Sequence, residues 1–264
     1  MGVATAGLAC VPTATAEENI VEKFSEGLQQ RRYHDWSIDR WLKYVEDIGV
    51  KYGNNRIEPG NEISTQIISG FEKSDLTLTM TYYELTYHDV PQGPVDYDRV
   101  ELHWEFDSGL DDSNTGKPDD LAKIGFSPDD FDKPQELDGD EWYNFGPDTT
   151  SAGIDAVSDG GIVGEWNGYY VDPGLFPITD GETGGDAGLE DYMSVYLTPY
   201  DKKSYNDLTI HFAYSNVFDT AEFDAIGFSS DGVIGYTISD EEDSWTVNLS
   251  YEAADIMNGK VYTP

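Results

Sequence analysis

A chain of 264 residues with 52 acidic and 15 basic side chains carries a formal net charge of −37. So little lysine and arginine argues against a nucleic-acid partner, whose phosphates need cations, and against an anionic membrane surface. The 6 Trp, 18 Tyr and 11 Phe fall in alternating runs, which argues against a chain disordered throughout, because disordered segments are poor in aromatics.

In dilute buffer this charge opposes compaction by self-repulsion. The Debye length falls from roughly 10 Å at 0.1 M salt to about 3 Å at 1 M. The composition therefore predicts a protein that folds in brine, with inorganic cations as its constant partners. The acid is unevenly spread: residues 1–73 hold 11 acids and 8 bases, whereas residues 74–264 hold 41 and 7.

Gly2 to Val11 is uncharged and rich in small apolar residues, and Ala14-Thr15-Ala16 follows as an A-x-A cleavage pattern before Glu17. Residues 1–16 resemble the tail of a twin-arginine signal peptide, whose arginine pair would lie upstream of Met1. The resemblance implies export to the extracellular space or the cell surface. Cys10 is the only cysteine, so a chain matured at Glu17 forms no disulfide and no thiolate metal site. The apolar run is too short to span a bilayer, and no transmembrane segment is expected.

Ile20, Val21, Phe24 and Leu28 share one helical face between Glu18 and Gln30. A second helix is expected from an N-cap at Ser37 through Ile38, Trp41, Leu42 and Val45 to a terminating Gly49. Arg31, Arg32, Tyr33, His34, Asp35 and Trp36 lie between the two and read as a solvated turn. Residues 17–70 thus form a short helical region expected to pack on a sheet built by residues 71–264.

From residue 71 the period changes to two. Leu76, Leu78 and Met80 alternate with threonines, Leu102, Trp104 and Phe106 with Glu101, His103 and Glu105, and Ile210, Phe212 and Tyr214 with polar or small residues. Ser244–Tyr251 alternates in the same way. Half-buried antiparallel strands give this pattern, and turn residues punctuate it. The expected fold is mainly β: an antiparallel β-sandwich or jelly roll over residues 71–264, preceded by the two-helix region. A weak internal repeat pairs Leu85, Leu102–Phe106, Ile124–Ser127 and Trp142 with Leu197, Ile210–Tyr214, Ile226–Ser229 and Trp245. It suggests halves near 71–165 and 166–264, either as two sandwiches or as one with related halves.

The local signatures of serine hydrolases, zincins, P-loop enzymes and dinucleotide-binding enzymes are absent from the sequence. His103 and His211, paired by the repeat, read as polar positions on solvated strand faces. No organic cofactor is expected. Ca²⁺ is the ion that Asp-rich turns could hold through oxygen ligands, the candidates being Asp107, Asp111, Asp112 and Asn114, then Asp180, Glu182 and Asp186. Trp142, Tyr143, Trp166, Tyr169 and Tyr170 lie beside Gly and polar groups; exposed, they would suit sugar stacking or a protein interface, although buried strand aromatics are commoner. Asn248-Leu249-Ser250 is a glycosylation sequon. The whole resembles the exported, acidic, β-rich proteins of haloarchaea, a resemblance that brings no catalytic residue with it. The expectation is a non-catalytic module binding a protein or a glycan; a hydrolase with a carboxylate pair and a structural part of an envelope or virus particle are the alternatives.

Overall fold

The computed structural model describes residues 14–34, 36–58, 76–87, 95–106, 120–134, 142–152, 157–166, 190–199, 205–217, 223–228, 234–238 and 244–259. The chain begins with helices α1 (Ala14–His34) and α2 (Ile38–Asp47). Strands β1 (Lys51–Ile57), β2 (Leu76–Tyr87), β3 (Val95–Phe106), β4 (Asp120–Phe126), β5 (Phe131–Asp132), β6 (Tyr143–Phe145) and β7 (Thr149–Ser151) follow. Then come β8 (Val157–Ser158), β9 (Gly161–Trp166), β10 (Glu190–Pro199), β11 (Thr209–Val217), β12 (Phe223–Phe228), β13 (Ile234–Ile238), β14 (Ser244–Glu252) and helix α3 (Ala253–Met257).

The first sheet runs β1–β2–β3–β10, with β5 and β6 along β10; the second runs β14–β11–β4–β9–β7, with β8 also on β9. β12 and β13 form a separate hairpin, and every pairing among the described strands is antiparallel. Strand alternation sends Leu78, Met80, Leu102, Trp104 and Val195 of the first sheet inward against Ile124, Phe126, Trp166, Ile210 and Phe212 of the second. Removing this apolar surface from water is the main stabilising term. The fold is therefore mainly β, a sandwich-like pair of antiparallel sheets with two N-terminal helices, as the alternation predicts.

α2 starts where its cap residue places it: Ser37 Oγ accepts from the Arg40 N–H, and Gly49 follows the last turn with φ +86°, a conformation that favours glycine. α1 and α2 lie on the outer face of the first sheet. Phe24, Leu28, Ile38, Trp41 and Val45 form there a second apolar cluster with Tyr83 and Leu85. That face is not solvated, so Thr77, Thr79, Thr81 and His103 are buried where the alternation alone predicts polar exposure. No helix among the described residues is long and apolar enough to cross a membrane.

Two boundaries differ from the sequence reading. β1 lies inside the stretch expected to be helical and pairs with β2 from Lys51↔Glu84 to Ile57↔Leu78. Its sequence KYGNNRI has no apolar alternation; it is a strand because it continues a sheet, with Gly53 and Asn55 buried. The repeat anchors also occupy unequal places. β2 and β3 are neighbours in one sheet, whereas β10 and β11 stand in different sheets. The strands of both halves build one pair of sheets.

Candidate functional site

The register on the outer face of the first sheet sets side chains in rows. Arg56, Thr79, His103 and Tyr192 form one, Asn54, Thr81, Glu101 and Ser194 the next, and Tyr52, Tyr83, Arg99 and Tyr196 a third. Arg31 of α1 enters the middle of this array. Its Nη1 donates to Glu101 Oε1 at 2.7 Å, and its guanidinium lies 3.8 Å from the Tyr192 ring centroid. Arg99 Nη2 donates to Glu101 Oε2 at 3.3 Å, and the Trp41 indole N–H donates to the Tyr83 hydroxyl at 2.8 Å. Arg31 is 1% exposed, and Glu101 and Arg99 are 0% exposed. Burial alone would lower the arginine pKa values, but Glu101 and the neighbouring tyrosines outweigh it and hold both guanidinia charged. Burial pushes the Tyr83 phenol up, so it stays protonated.

The predicted solvated turn at residues 31–36 is therefore corrected at Arg31, which points inward because a buried carboxylate awaits it; Arg32, Tyr33 and His34 are exposed. His103 is corrected likewise: it is buried, with Nε2 2.9 Å from Glu190 Oε2. Burial pushes the Glu190 carboxyl up, but His103, Arg31 and the Ile38 N–H at the start of α2 bring it below its ordinary value. His211 is half-buried on the second sheet, its Nδ1 2.7 Å from Ser250 Oγ. The repeat thus pairs two histidines in unlike surroundings.

A second buried group lies at one end of the sandwich. The chain crosses there from the first sheet to the second through Gly146, Pro147 and Asp148, and Asp191 of β10 clasps the crossing. Asp191 Oδ2 accepts from Thr149 Oγ1 at 2.5 Å and from the Asp148 N–H at 3.0 Å, while Oδ1 accepts from the Tyr192 N–H at 2.9 Å. A Cβ on Gly146 would lie 1.6 Å from Asp191 Oδ1. Gly146→Ala is therefore expected to break the clasp and cost about 1–3 kcal/mol, read as a lower urea midpoint. Across the same end, Asp120 Oδ2 accepts from the Tyr214 hydroxyl at 2.6 Å, and Asn216 Nδ2 donates to both Asp120 oxygens at 3.0 and 2.9 Å. Trp104, Phe106, Trp166 and Tyr214 pack against one another at this end of the core.

Burial pushes the Asp191 carboxyl up to about 7, and nearby Asp148 adds to the rise; the hydrogen bonds from Thr149, Tyr192 and Asp148 oppose it. Raised above its unfolded value, this carboxyl contributes stability that is fully present below about pH 4 and is lost as pH rises through about 7. Asp191→Asn is expected to remove that slope, which urea titrations at several pH values would show.

The residues chosen from the sequence fall into three groups. Trp166 is fully buried and Trp142 nearly so, both inside the sandwich core, while Tyr143 packs half-buried beside Trp142 and Phe145. Neither tryptophan offers a free ring face to a ligand. Asn248 is exposed on β14. Tyr169, Tyr170, Asp107, Asp111, Asp112, Asn114, Asp180, Glu182 and Asp186 lie outside the described residues. Among the described residues no cluster of three or more His, Cys, Asp or Glu side chains could hold a metal ion. Arg31, Glu101 and Asp191 are the polar residues the sequence reading missed. Only Arg31 had a signal, its position on the helical face of Phe24 and Leu28.

The long connections share one end. Segments 58–75, 107–119, 167–189 and 218–243 all leave and rejoin the strands where Ile57, Leu76, Phe106, Asp120, Trp166, Glu190, Val217 and Ser244 stand. The Phe106–Trp166 stack, at 5.8 Å between centroids, aligns this end of the two sheets. The four segments carry 20 acidic and 2 basic residues. Asp120 and Asp191 lie directly inside this end, next to the strand termini that bear the loops. Comparison with protein-family models finds no match, and comparison with curated proteins finds none.

Proposed function

We propose that the protein is a non-catalytic module of the extracellular space or cell surface that binds a protein or a glycan in brine, through the loop-bearing end of its sandwich. The observation that supports this reading is that segments 58–75, 107–119, 167–189 and 218–243, the last containing the β12–β13 hairpin, all leave and rejoin the two main sheets at one end. Binding residues are drawn disproportionately from loops so placed. Tyr169, Tyr170 and all seven Ca²⁺ candidates belong to these segments. Ca²⁺ taken up there would pin an acidic loop. Long-range attraction is screened in molar salt, so recognition rests on contact hydrogen bonds and aromatic stacking.

The test is binding of the purified chain to isolated envelopes of an extreme halophile in several molar KCl, with and without segment 167–189 replaced by a short Gly/Ser linker. The expected result is a loss of about tenfold or more in affinity, equivalent to about 1.4 kcal/mol, with the urea midpoint unchanged. Equal binding by both chains sinks the reading.

A hydrolase acting on a polymer is the second reading, and Asp191 is what favours it. A carboxyl raised to about 7 can act as a proton donor near neutrality, and burial also raises the neighbouring Asp148. Under this reading Asp191→Asn abolishes turnover while the fold persists. Under the first it leaves envelope binding intact.

A further inference from the structure

We propose that Asn248 is an N-glycosylation site and that its saccharide caps the β14 edge of the second sheet. Asn248-Leu249-Ser250 has the acceptor pattern. β14 is an edge strand that, among the described residues, pairs only with β11. Its alternation turns Val247 and Tyr251 into the core and leaves Asn248 and Ser250 exposed on the other side. The residue opposite Asn248 is Ala213, which is buried while the Asn248 side chain beside it is exposed. Ser250 Oγ lies 2.7 Å from His211 Nδ1, at an exposed position. A strand hydrogen-bonded along one side can peel locally, so a sequon on it is accessible in a way that one on an inner strand is not.

β14 itself also lacks the usual sequence protection. Sheet edges are normally blunted by lysine, proline, a bulge or inward charge, because their open N–H and C=O groups recruit other strands. β14 reads SWTVNLSYE, with one charge at its last residue, and its register with β11 is unbroken over nine pairs. In brine even the acids elsewhere on the surface repel weakly, since screening cuts their reach to about 3 Å at 1 M salt. A covalently attached hydrophilic chain obstructs strand pairing sterically, at any ionic strength.

The donor is a saccharide linked through phosphate to a lipid. Asn248 Nδ2 forms a bond to the anomeric carbon, the glycosyl–phosphate bond breaks with its electron pair going to the phosphate, and the amide gives up one proton to a base. The site rests on the proposed extracellular location, and the experiment separates the two. The chain, preceded by an export signal, is produced in an extreme-halophile host, and medium and cell fractions are analysed by intact-mass and peptide mass spectrometry. Secreted chains are expected to carry discrete saccharide increments on the 244–252 peptide. Asn248→Gln and Ser250→Ala abolish them, Ser250→Thr keeps them, and all three leave the urea midpoint unchanged because both positions are exposed. Asn248→Gln is further expected to self-associate with rising concentration during sedimentation in molar KCl. Secreted chain of unmodified mass overturns the site while the extracellular location stands, and unmodified chain kept inside the cell overturns both. A monomeric Asn248→Gln overturns the edge-capping role.

Discussion

Glu101→Ala is expected to cost about 3–5 kcal/mol of folding stability, because it leaves two buried guanidinia facing each other without their shared carboxylate. A domain is stable by only about 5–15 kcal/mol in all, so the variant stands near the folding threshold. Arg31 and Arg99 both donate to Glu101, and all three are essentially inaccessible to water. Arg31→Ala is expected to cost less, since Arg99 still partners the carboxylate. The network is incompletely satisfied, however. Among the described residues Arg31 Nε and Nη2 and Arg99 Nε have no hydrogen-bond partner, and Arg31 stacks on Tyr192 instead. Replacing Arg31, Glu101 and Arg99 together by methionine and leucine is therefore expected to be neutral or stabilising. Urea titrations at fixed KCl, followed by tryptophan fluorescence, check both statements, since Trp41 reports on this layer. The losses should be the same at one and at several molar KCl, because buried pairs are screened far less than surface ones. A single-site loss below about 1 kcal/mol, the range of an exposed ion pair, would mean that the helices are held by their apolar contacts alone.

The contrast between what the sequence announces and what it hides is clearest in this layer. Period-two alternation reports that one side of a strand is apolar and says nothing of what covers the other. Glu101 and His103 alternate with Leu102 and Trp104 as residues of a solvated face would, yet α1 and α2 seal them. α2 was legible because its signals are local: Ser37, a helical stripe and Gly49. Arg31 was legible in principle, since it continues the face of Phe24 and Leu28, but it sits beside Arg32 in a polar run that disguises it. Asp191 and Gly146 lie 45 residues apart, and no local pattern joins them; their contact depends on the crossing between sheets. Sheet order cannot be read from alternation, so the shared position of the four long connections emerges only from the register. Trp166 and Trp142 show the converse. A tryptophan beside glycine looks available for stacking, but the interior between two sheets is where large rings bury the most apolar surface.

The second large effect concerns salt. The chain is expected to lose cooperative structure in dilute buffer and to regain it in several molar KCl or NaCl. Two like charges 4 Å apart in water repel by about 1 kcal/mol, and with 52 acids against 15 bases the repulsions have few attractions to offset them. Their sum over neighbouring carboxylates rivals the whole stability of a domain. The imbalance is steepest in the four segments that leave one end of the sheets, with 20 acids and two bases, while residues 17–57 are almost balanced with eight acids and seven bases. Converting several loop acids to their amides is therefore expected to lower the salt needed for folding more than the same number of changes in α1 and α2. Far-ultraviolet circular dichroism against KCl concentration measures both midpoints. Cooperative structure that is complete in low-salt buffer, with nothing gained on adding salt, would remove the reason for assigning the protein to brine. The Arg31–Glu101–Arg99 contacts would persist in that case, because their strength derives from exclusion of water and ions alike.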